Sequence, residues 1–373
     1  MKSFDIGEGA QRSKEAASPQ SAASSNAAGH GRQRGPLRAG MGWWLALLLL
    51  ALVLLWALGS GQFALAPAQL AEALWARATG ADSPLAPAAE TVLWNIRLPR
   101  IAAGMAVGAM LGAAGAAYQG MFRNPLVSPD ILGVSAGAGL GAVVAIYLGL
   151  SMFAVQWLAF GGGLVAVAVV VAVSACVRRH DPVLVLVLAG IALGALLGAG
   201  IALIKTLADP NTQLPSITFW LMGGLSAVTL QEVAATAPVM LAALLPLLLL
   251  RWRINLLALP DEEARALGVP VARLRLVLVV CATLGTAAAV SLAGIIGWVG
   301  LVVPHVARLL VGPDFVRLLP ASALLGAGFV VVADTLARTM ARIELPLGIL
   351  TALVGAPFFL YLLARTGRRE GQT

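Results

Sequence analysis

Apolar runs close to or longer than 18 residues recur between residues 43 and 364. A helix of that length matches the hydrocarbon core of a bilayer, where every backbone polar group must be paired within its own helix or in a closed barrel. The chain is 60% hydrophobic and 11% charged, whereas a soluble domain carries about a quarter charged residues. The sequence therefore predicts an all-α polytopic membrane protein. Spans are expected near 43–58, 93–120, 134–150, 153–177, 182–207, 231–251, 272–295, 297–312, 319–342 and 346–364, ten in all. Pro67–Thr79 reads as a short amphipathic helix on the surface, and residues 219–226 (FWLMGGLS) as a half-buried helix after Asp209-Pro210. Residues 1–40, rich in Ala, Ser, Gly and Gln, cannot bury a core and read as a disordered cytosolic tail. The apolar transmembrane domain then runs from 41 to 365, and residues 366–373 form a second cytosolic tail.

The basic residues orient this arrangement. With the N-terminus inside, 19 Lys and Arg fall on the cytosolic side and six (Arg77, Arg97, Arg100, Lys205, Arg338 and Arg342) on the external side. That asymmetry obeys the positive-inside rule and puts both termini in the cytosol. The net charge of +8 thus reports topology, and without a basic patch interleaved with aromatics no nucleic-acid partner is expected. His30, His180 and His305 are scattered, with no metal-ligand spacing. Cys176 and Cys281 lie in apolar segments and read as small packing residues. No GxxxxGK motif precedes a lysine, so any nucleotide must be hydrolysed by another subunit.

After residue 100, one place sets three carboxylates side by side: Asp261, Glu262 and Glu263, within the charged segment 254–275. Pro260 suits the first turn of a helix, and the acids favour its positive N-terminal end. Gly268 can close that helix and Pro270 stops it from continuing. A connector needs none of these signals, so the segment reads as a docking element for a soluble partner, in preference to a solvated loop.

Glycines repeat at four-residue spacing as Gly104/Gly108/Gly112, Gly133/Gly137/Gly141 and Gly190/Gly194/Gly198. Each stripe lets backbones approach closely, and each is open to two readings, tight packing or the wall of a path or subunit contact. Asn124-Pro125, Ser128-Pro129-Asp130 and Pro304-His305 are expected to interrupt the helices. Asp334 and Arg338, four residues apart in an apolar span, read as a mutual ion pair in preference to a transported-ion site. Arg97 and Arg100 stand at the external mouth and read as surface cations awaiting the acidic side chains of an external partner, with Arg338 and Arg342 as further candidates.

Several stretches resemble the iron-chelate, haem and vitamin B12 (FecCD-type) permeases of ABC importers. They are RLPR (97–100), YQGMFRNPLVSPDILGVSAGAGLGA (118–142), LAGIALGALLGA (188–199), FWLMGGL (219–225), GWVGLVVPHVARLLVG (297–312) and ELPLGILTALVGAPFF (344–359). The likeness runs in the family's order from about residue 43 to 365. It implies the type II importer fold, with ten spans, a homodimer with the path along its axis, two cytosolic ATPase subunits that use ATP and Mg, and a periplasmic binding protein. Neither a cofactor nor a metal is expected on this chain itself. By the same resemblance, Leu259, Asp261, Glu262, Glu263, Arg265, Leu267 and Gly268 belong to the ATPase-coupling helix, and Arg97, Arg100 and Arg338 match arginines that meet glutamates of the binding protein. Asn124 and Leu126 match one part of the cytoplasmic gate, and Val183 and Leu184 stand at the other, where the cobalamin member carries small hydroxyl residues.

The expected function is a permease subunit of the bacterial inner membrane, not itself an enzyme, that imports an iron chelate. A ferric siderophore comes first, with haem and cobalamin behind it, and Gly190, Gly194 and Gly198 line its path. The alternative is an ion-coupled secondary transporter, which would need Asp334 and no ATP. A lipid-modifying enzyme would need a nucleophile, base or metal cluster, and the sequence has none.

Overall fold

The computed structural model describes residues 36–61, 63, 65–83, 85–177 and 182–370. The expected tail before residue 36, the basic run at 178–181 and residues 371–373 lie outside them. The chain divides into two compact units, Met1–Leu45 and Ala46–Thr373. Among the described residues the first holds the start of α1 (Pro36–Gly59), and the second holds the rest.

No strand occurs among the described residues. The helix predicted at Pro67–Thr79 forms with those bounds as α2. Next, α3 (Pro87–Thr91) passes through a π-turn at Val92–Arg97 into α4 (Leu98–Phe122), and a 3₁₀ turn at Pro129–Leu132 leads to α5 (Val134–Tyr147). Then come α6 (Met152–Cys176), α7 (Pro182–Leu207), α8 (Gln213–Leu221), α9 (Leu230–Leu249), α10 (Arg251–Leu257) and α11 (Asp261–Ala266). The chain ends with α12 (Val271–Ala293), α13 (Val299–Val311), α14 (Phe315–Thr339) and α15 (Leu347–Glu370). Among the described residues six stretches are long and apolar enough to cross a membrane, and four shorter apolar helices, at Trp43–Gly59, Val134–Tyr147, Val299–Val311 and Leu347–Tyr361, stand at the remaining expected positions.

The glycine stripes divide sharply between the two readings. A side-chain carbon added at Gly108 would overlap the carbonyl of Gly326 and one at Gly112 that of Ser322, whereas one at Gly104 would meet only side chains of Val331, Leu225 and Val330. Most of this stripe therefore presses α4 against the backbone of α14, and Gly115, outside the stripe, stands likewise against the carbonyl of Gly300 in α13. Gly137 and Gly141 do the same for α5 against Gly162 and Leu158 of α6. Without Cβ atoms the helices come close enough for backbone dispersion contact, which membranes require because apolar side chains gain little by leaving lipid. Around α4, a core of Val107, Leu111, Met240, Leu292, Val303 and Val330 joins α9, α12, α13 and α14. The third stripe differs. Gly190 abuts the Ile131 carbonyl, but Gly194 and Gly198 face open space, and α7 exposes Leu188, Ile191, Leu196 and Leu203.

Three expectations are corrected here. Pro304 does not break its helix. It lies inside α13, and the interruption falls upstream, where Gly294 (φ 67°) and Trp298 (φ 72°) are left-handed. The short helix after Asp209-Pro210 occupies Gln213–Leu221, not 219–226. The Asp209 Oδ1 accepts from the Asn211 and Thr212 N–H groups at 2.7 and 2.9 Å and so starts it early. Gly223, at φ 69°, turns the chain away. Cys281 is buried as a packing residue, whereas Cys176 is exposed at the end of α6. The irregular backbone at these breaks pairs with itself: Gly224 N–H donates to Ala293 O at 2.8 Å, Leu347 N–H to Gly223 O at 3.0 Å and Gly348 N–H to Met222 O at 2.9 Å. Such pairing is what permits non-helical backbone beside apolar spans.

Candidate functional site

Two charged clusters stand at opposite ends of α4. At its start, the residues expected as surface cations are inside the protein: Arg97 is 3% exposed and Arg100 5%. Arg100 forms a fork on Asp334, with Nη2 2.6 Å from Oδ1 and Nε 3.3 Å from Oδ2, and Nη2 also donates to Glu344. Asp334 therefore takes its main partner from α4, 234 residues away in sequence. The expected partner on its own helix, Arg338, stays 3.9 Å from it. Bidentate, charge-assisted contact explains the preference.

Arg338 and Arg97 are occupied elsewhere. Arg338 donates to Ser60 O at 2.6 Å and to Ala57 O, while Arg97 donates to the carbonyls of Leu58 and Phe63. These acceptors are the last carbonyls of α1 and the turn after it, which have no partner within the helix. Two guanidinium groups thus cap the negative end of α1 and fasten it to α4 and α14. Two of the six basic residues expected outside, Arg97 and Arg338, are thus engaged within the protein. The cluster holds three cations and two carboxylates, Asp334 and Glu344, so it is one positive charge in excess. Arg338 Nε is buried without a hydrogen-bond partner, and Arg342 lies exposed nearby in sequence.

At the other end, α11 forms where its signals predict, with Pro260 as N-cap and Gly268 at φ 79°. Glu262, Glu263 and Arg265 are exposed, and Leu267 is 63% exposed, while Ala264 points inward. Asp261 behaves differently from its two acidic neighbours. Its Oδ1 accepts from Arg275 Nη2 at 2.7 Å and from Arg123 Nη2 at 3.1 Å, and its Oδ2 accepts from Arg275 Nη1 at 2.8 Å. Arg265 stands 3.8 Å off. Arg123 also donates to Leu259 O at 3.2 Å. It caps α4 in the left-handed region at φ 53°, which costs a side-chain-bearing residue roughly 1–2 kcal/mol. The adjoining α10 is anchored by Ile254 and Phe315, both against Gly120. Asn255 adds bonds to Asp314 Oδ1 at 2.7 Å and from Phe315 N–H at 2.9 Å.

Hydrogen bonds from Arg275, then the charges of Arg275, Arg123 and Arg265, hold the Asp261 carboxyl below the ordinary aspartate range. A carboxylate lowered on folding contributes stability above its unfolded pKa and loses it as pH falls through the folded value. Hydrogen exchange of the α11 amides, corrected for the intrinsic pH dependence, is therefore expected to stay level from pH 7 to 5. It should rise only below about pH 4; an onset at pH 6 would contradict this.

The first pair expected at the gate, Asn124 and Leu126, begins directly after Arg123. Asn124 is exposed and its Oδ1 accepts from Leu126 N–H at 2.9 Å, leaving Leu126 43% exposed. Val183 is half-buried and Leu184 50% exposed at the start of α7. That helix touches the chain after the Asn124–Leu126 loop where Gly190 meets Ile131. Two participants escaped the sequence reading. Glu344 sits in a loop that gave no sign of its partner. Gln119, one turn before the end of α4, accepts from Arg308 at 2.9 Å and donates to Leu301 O at 3.3 Å. A lone glutamine in an apolar span was the available signal. Among the described residues no group of three or more His, Cys, Asp or Glu side chains could hold a metal ion.

Comparison with known proteins places this geometry. The sequence profile of the FecCD transport family matches residues 48–365. The chain is 38% identical over 328 residues to the molybdate import system permease MolB of Haemophilus influenzae, covering 87% of this chain and 96% of that one. It is 46% identical over 276 residues to the cobalamin import system permease BtuC of Halobacterium salinarum, covering 74% of each. A solved structure of a metal-chelate type ABC transporter in an inward-facing conformation superposes with a TM-score of 0.78 at 35% identity, covering 88% of this chain and 99% of that chain. With the family's profile spanning every helix from α2 to α14, and with that fold in common, the chain belongs to the FecCD transport family, the multi-pass permeases of ABC importers.

Proposed function

We propose that this permease imports an iron chelate, a ferric siderophore before haem or cobalamin, as a homodimer driven by two ATPase subunits and fed by a binding protein. The α11 end faces the cytosol in this reading, consistent with the 19 basic residues expected there. ATPase subunits dock on the exposed face formed by Glu262, Glu263, Arg265 and Leu267. The binding protein docks at the opposite end, where acidic side chains answer the surplus positive charge of Arg97, Arg100 and Arg338. Because those guanidinium groups are buried, the exposed Arg342 makes the first electrostatic contact.

The observation that carries the choice of cargo is the open face of α7. A side-chain carbon added at Gly194 or Gly198 would meet nothing within 4 Å, so a second copy facing this helix would leave a smooth, weakly binding wall for a bulky chelate. Two relatives are named for molybdate and for cobalamin and the structural neighbour for metal chelates, so cargo must be tested directly. In vesicles holding the permease with its ATPase and binding protein, ATP-dependent uptake of ferric siderophore is expected to exceed that of molybdate, haem and cobalamin. Uptake of molybdate alone would overturn the assignment. Gly194→Trp is expected to cut uptake at least tenfold while folding and ATPase assembly persist. Unimpaired uptake by a correctly assembled variant would remove this face from the path.

A further inference from the structure

We propose that Asp261 is a positioning residue that joins the short helix α11 to the inner end of α4, so that displacement of α11 moves the Asn124–Leu126 loop through Arg123. The proposal rests on the ATPase-docking reading above and adds the route by which motion leaves the docked helix.

A six-residue helix cannot fix its own position, because few of its backbone bonds close within it. Its inward apolar contact is one small side chain, Ala264. What holds α11 is therefore chiefly polar, and Asp261 supplies it from the first turn, on the face opposite the exposed acids. One carboxylate receives two bonds from Arg275 of α12 and one from Arg123, the residue that caps α4. Arg123 grips the segment twice, at Asp261 and at the Leu259 carbonyl just before α11. The next residue, Asn124, opens the loop and its N–H donates to Gln119 O at 3.2 Å. Gln119 in turn holds α13 through Leu301 O and Arg308. A continuous series of directional bonds therefore runs from α11 to the loop and on to α13. Glu262 and Glu263, although adjacent, have no such inward bonds and remain on the docking face. Asp261 is ionised at neutral pH like any aspartate, and its lowered titration keeps the joint charged further into acid. A static clamp would show the same bonds, so the experiment must read coupling rather than stability.

The measurement is the number of ATP molecules consumed per chelate imported by the full complex in vesicles. Arg123→Gln leaves both Arg275 bonds to Asp261 in place and is the main variant; Arg123→Lys is the charge-conserving control. At least a tenfold rise in ATP per chelate is expected for Arg123→Gln, with partial recovery in Arg123→Lys. Asp261→Asn should raise the ratio similarly, and combining it with Arg123→Gln should add little to either change alone. A wild-type ratio in Arg123→Gln, or independent losses that multiply in the double variant, would overturn the joint. A wild-type complex that imports nothing in response to ATP would instead overturn the docking reading.

Discussion

Asp334→Ala is expected to destabilise the permease by about 3–5 kcal/mol, the usual cost of leaving one member of a buried ion pair without its partner. Asp334 and Arg100 are 3% and 5% exposed, so water cannot compensate the guanidinium that remains. Glu344 still reaches Arg100, but it is the more exposed of the two acids, with 30% of its side chain open. Arg338 would also lose its nearest anion, at 3.9 Å, while its Nε already has no hydrogen-bond partner. Replacing both members, Arg100→Met with Asp334→Leu, removes the charges together and should restore most of the loss. Denaturant unfolding in detergent distinguishes these variants. If the single variant proved as stable as the double, the fork between α4 and α14 would not be an energetically coupled pair. Asp334→Asn separates the rival function: an ion-coupled carrier would lose transport with that change even where the protein stays folded. The permease account expects ATP-driven uptake to survive in the folded fraction.

Gly115→Leu is expected to be at least as damaging. The added carbon would occupy the space of the Gly300 backbone, and backbone, unlike a flexible side chain, cannot rotate away. Overpacking in a core commonly costs about 1–3 kcal/mol, and here α4 and α13 would have to separate along their length, so the expectation is more than about 3 kcal/mol and loss of the monodisperse protein on size exclusion. At Gly194 the first added carbon meets nothing within 4 Å, so the same substitution there should leave folding intact. Equal tolerance at both positions would contradict the close approach of α4 and α13.

The glycine stripes also show how far a sequence can be read. Periodicity alone finds all three stripes, because small residues at four-residue spacing always share a helical face. It does not tell which face meets another backbone and which stays open, since that depends on helices hundreds of residues apart. Capping chemistry is local, so α2 and α11 were legible almost to the residue. The choice of partner for Asp334 was not. An i, i+4 arginine was visible, but the bidentate geometry offered by Arg100 across α4 and α14 was the stronger contact. Arg97 looked out of place as an external cation because the carbonyls it caps together with Arg338, at the end of α1, carry no mark in sequence, and Arg100 because its acids, Asp334 and Glu344, lie 234 and 244 residues away. Among the three adjacent acids, composition could not single out Asp261, whose direction follows from where Arg123 and Arg275 lie.

The central claim is that this chain is a conduit moved from outside itself, by a nucleotide-consuming subunit seated on α11. Its most direct test is uptake of labelled ferric chelate into vesicles containing the purified permease, with binding protein, in the presence and absence of the ATPase subunit. The account predicts uptake when ATPase and ATP are both present and none when either is withheld. Accumulation by the permease without nucleotide, driven by an ion gradient, would contradict it.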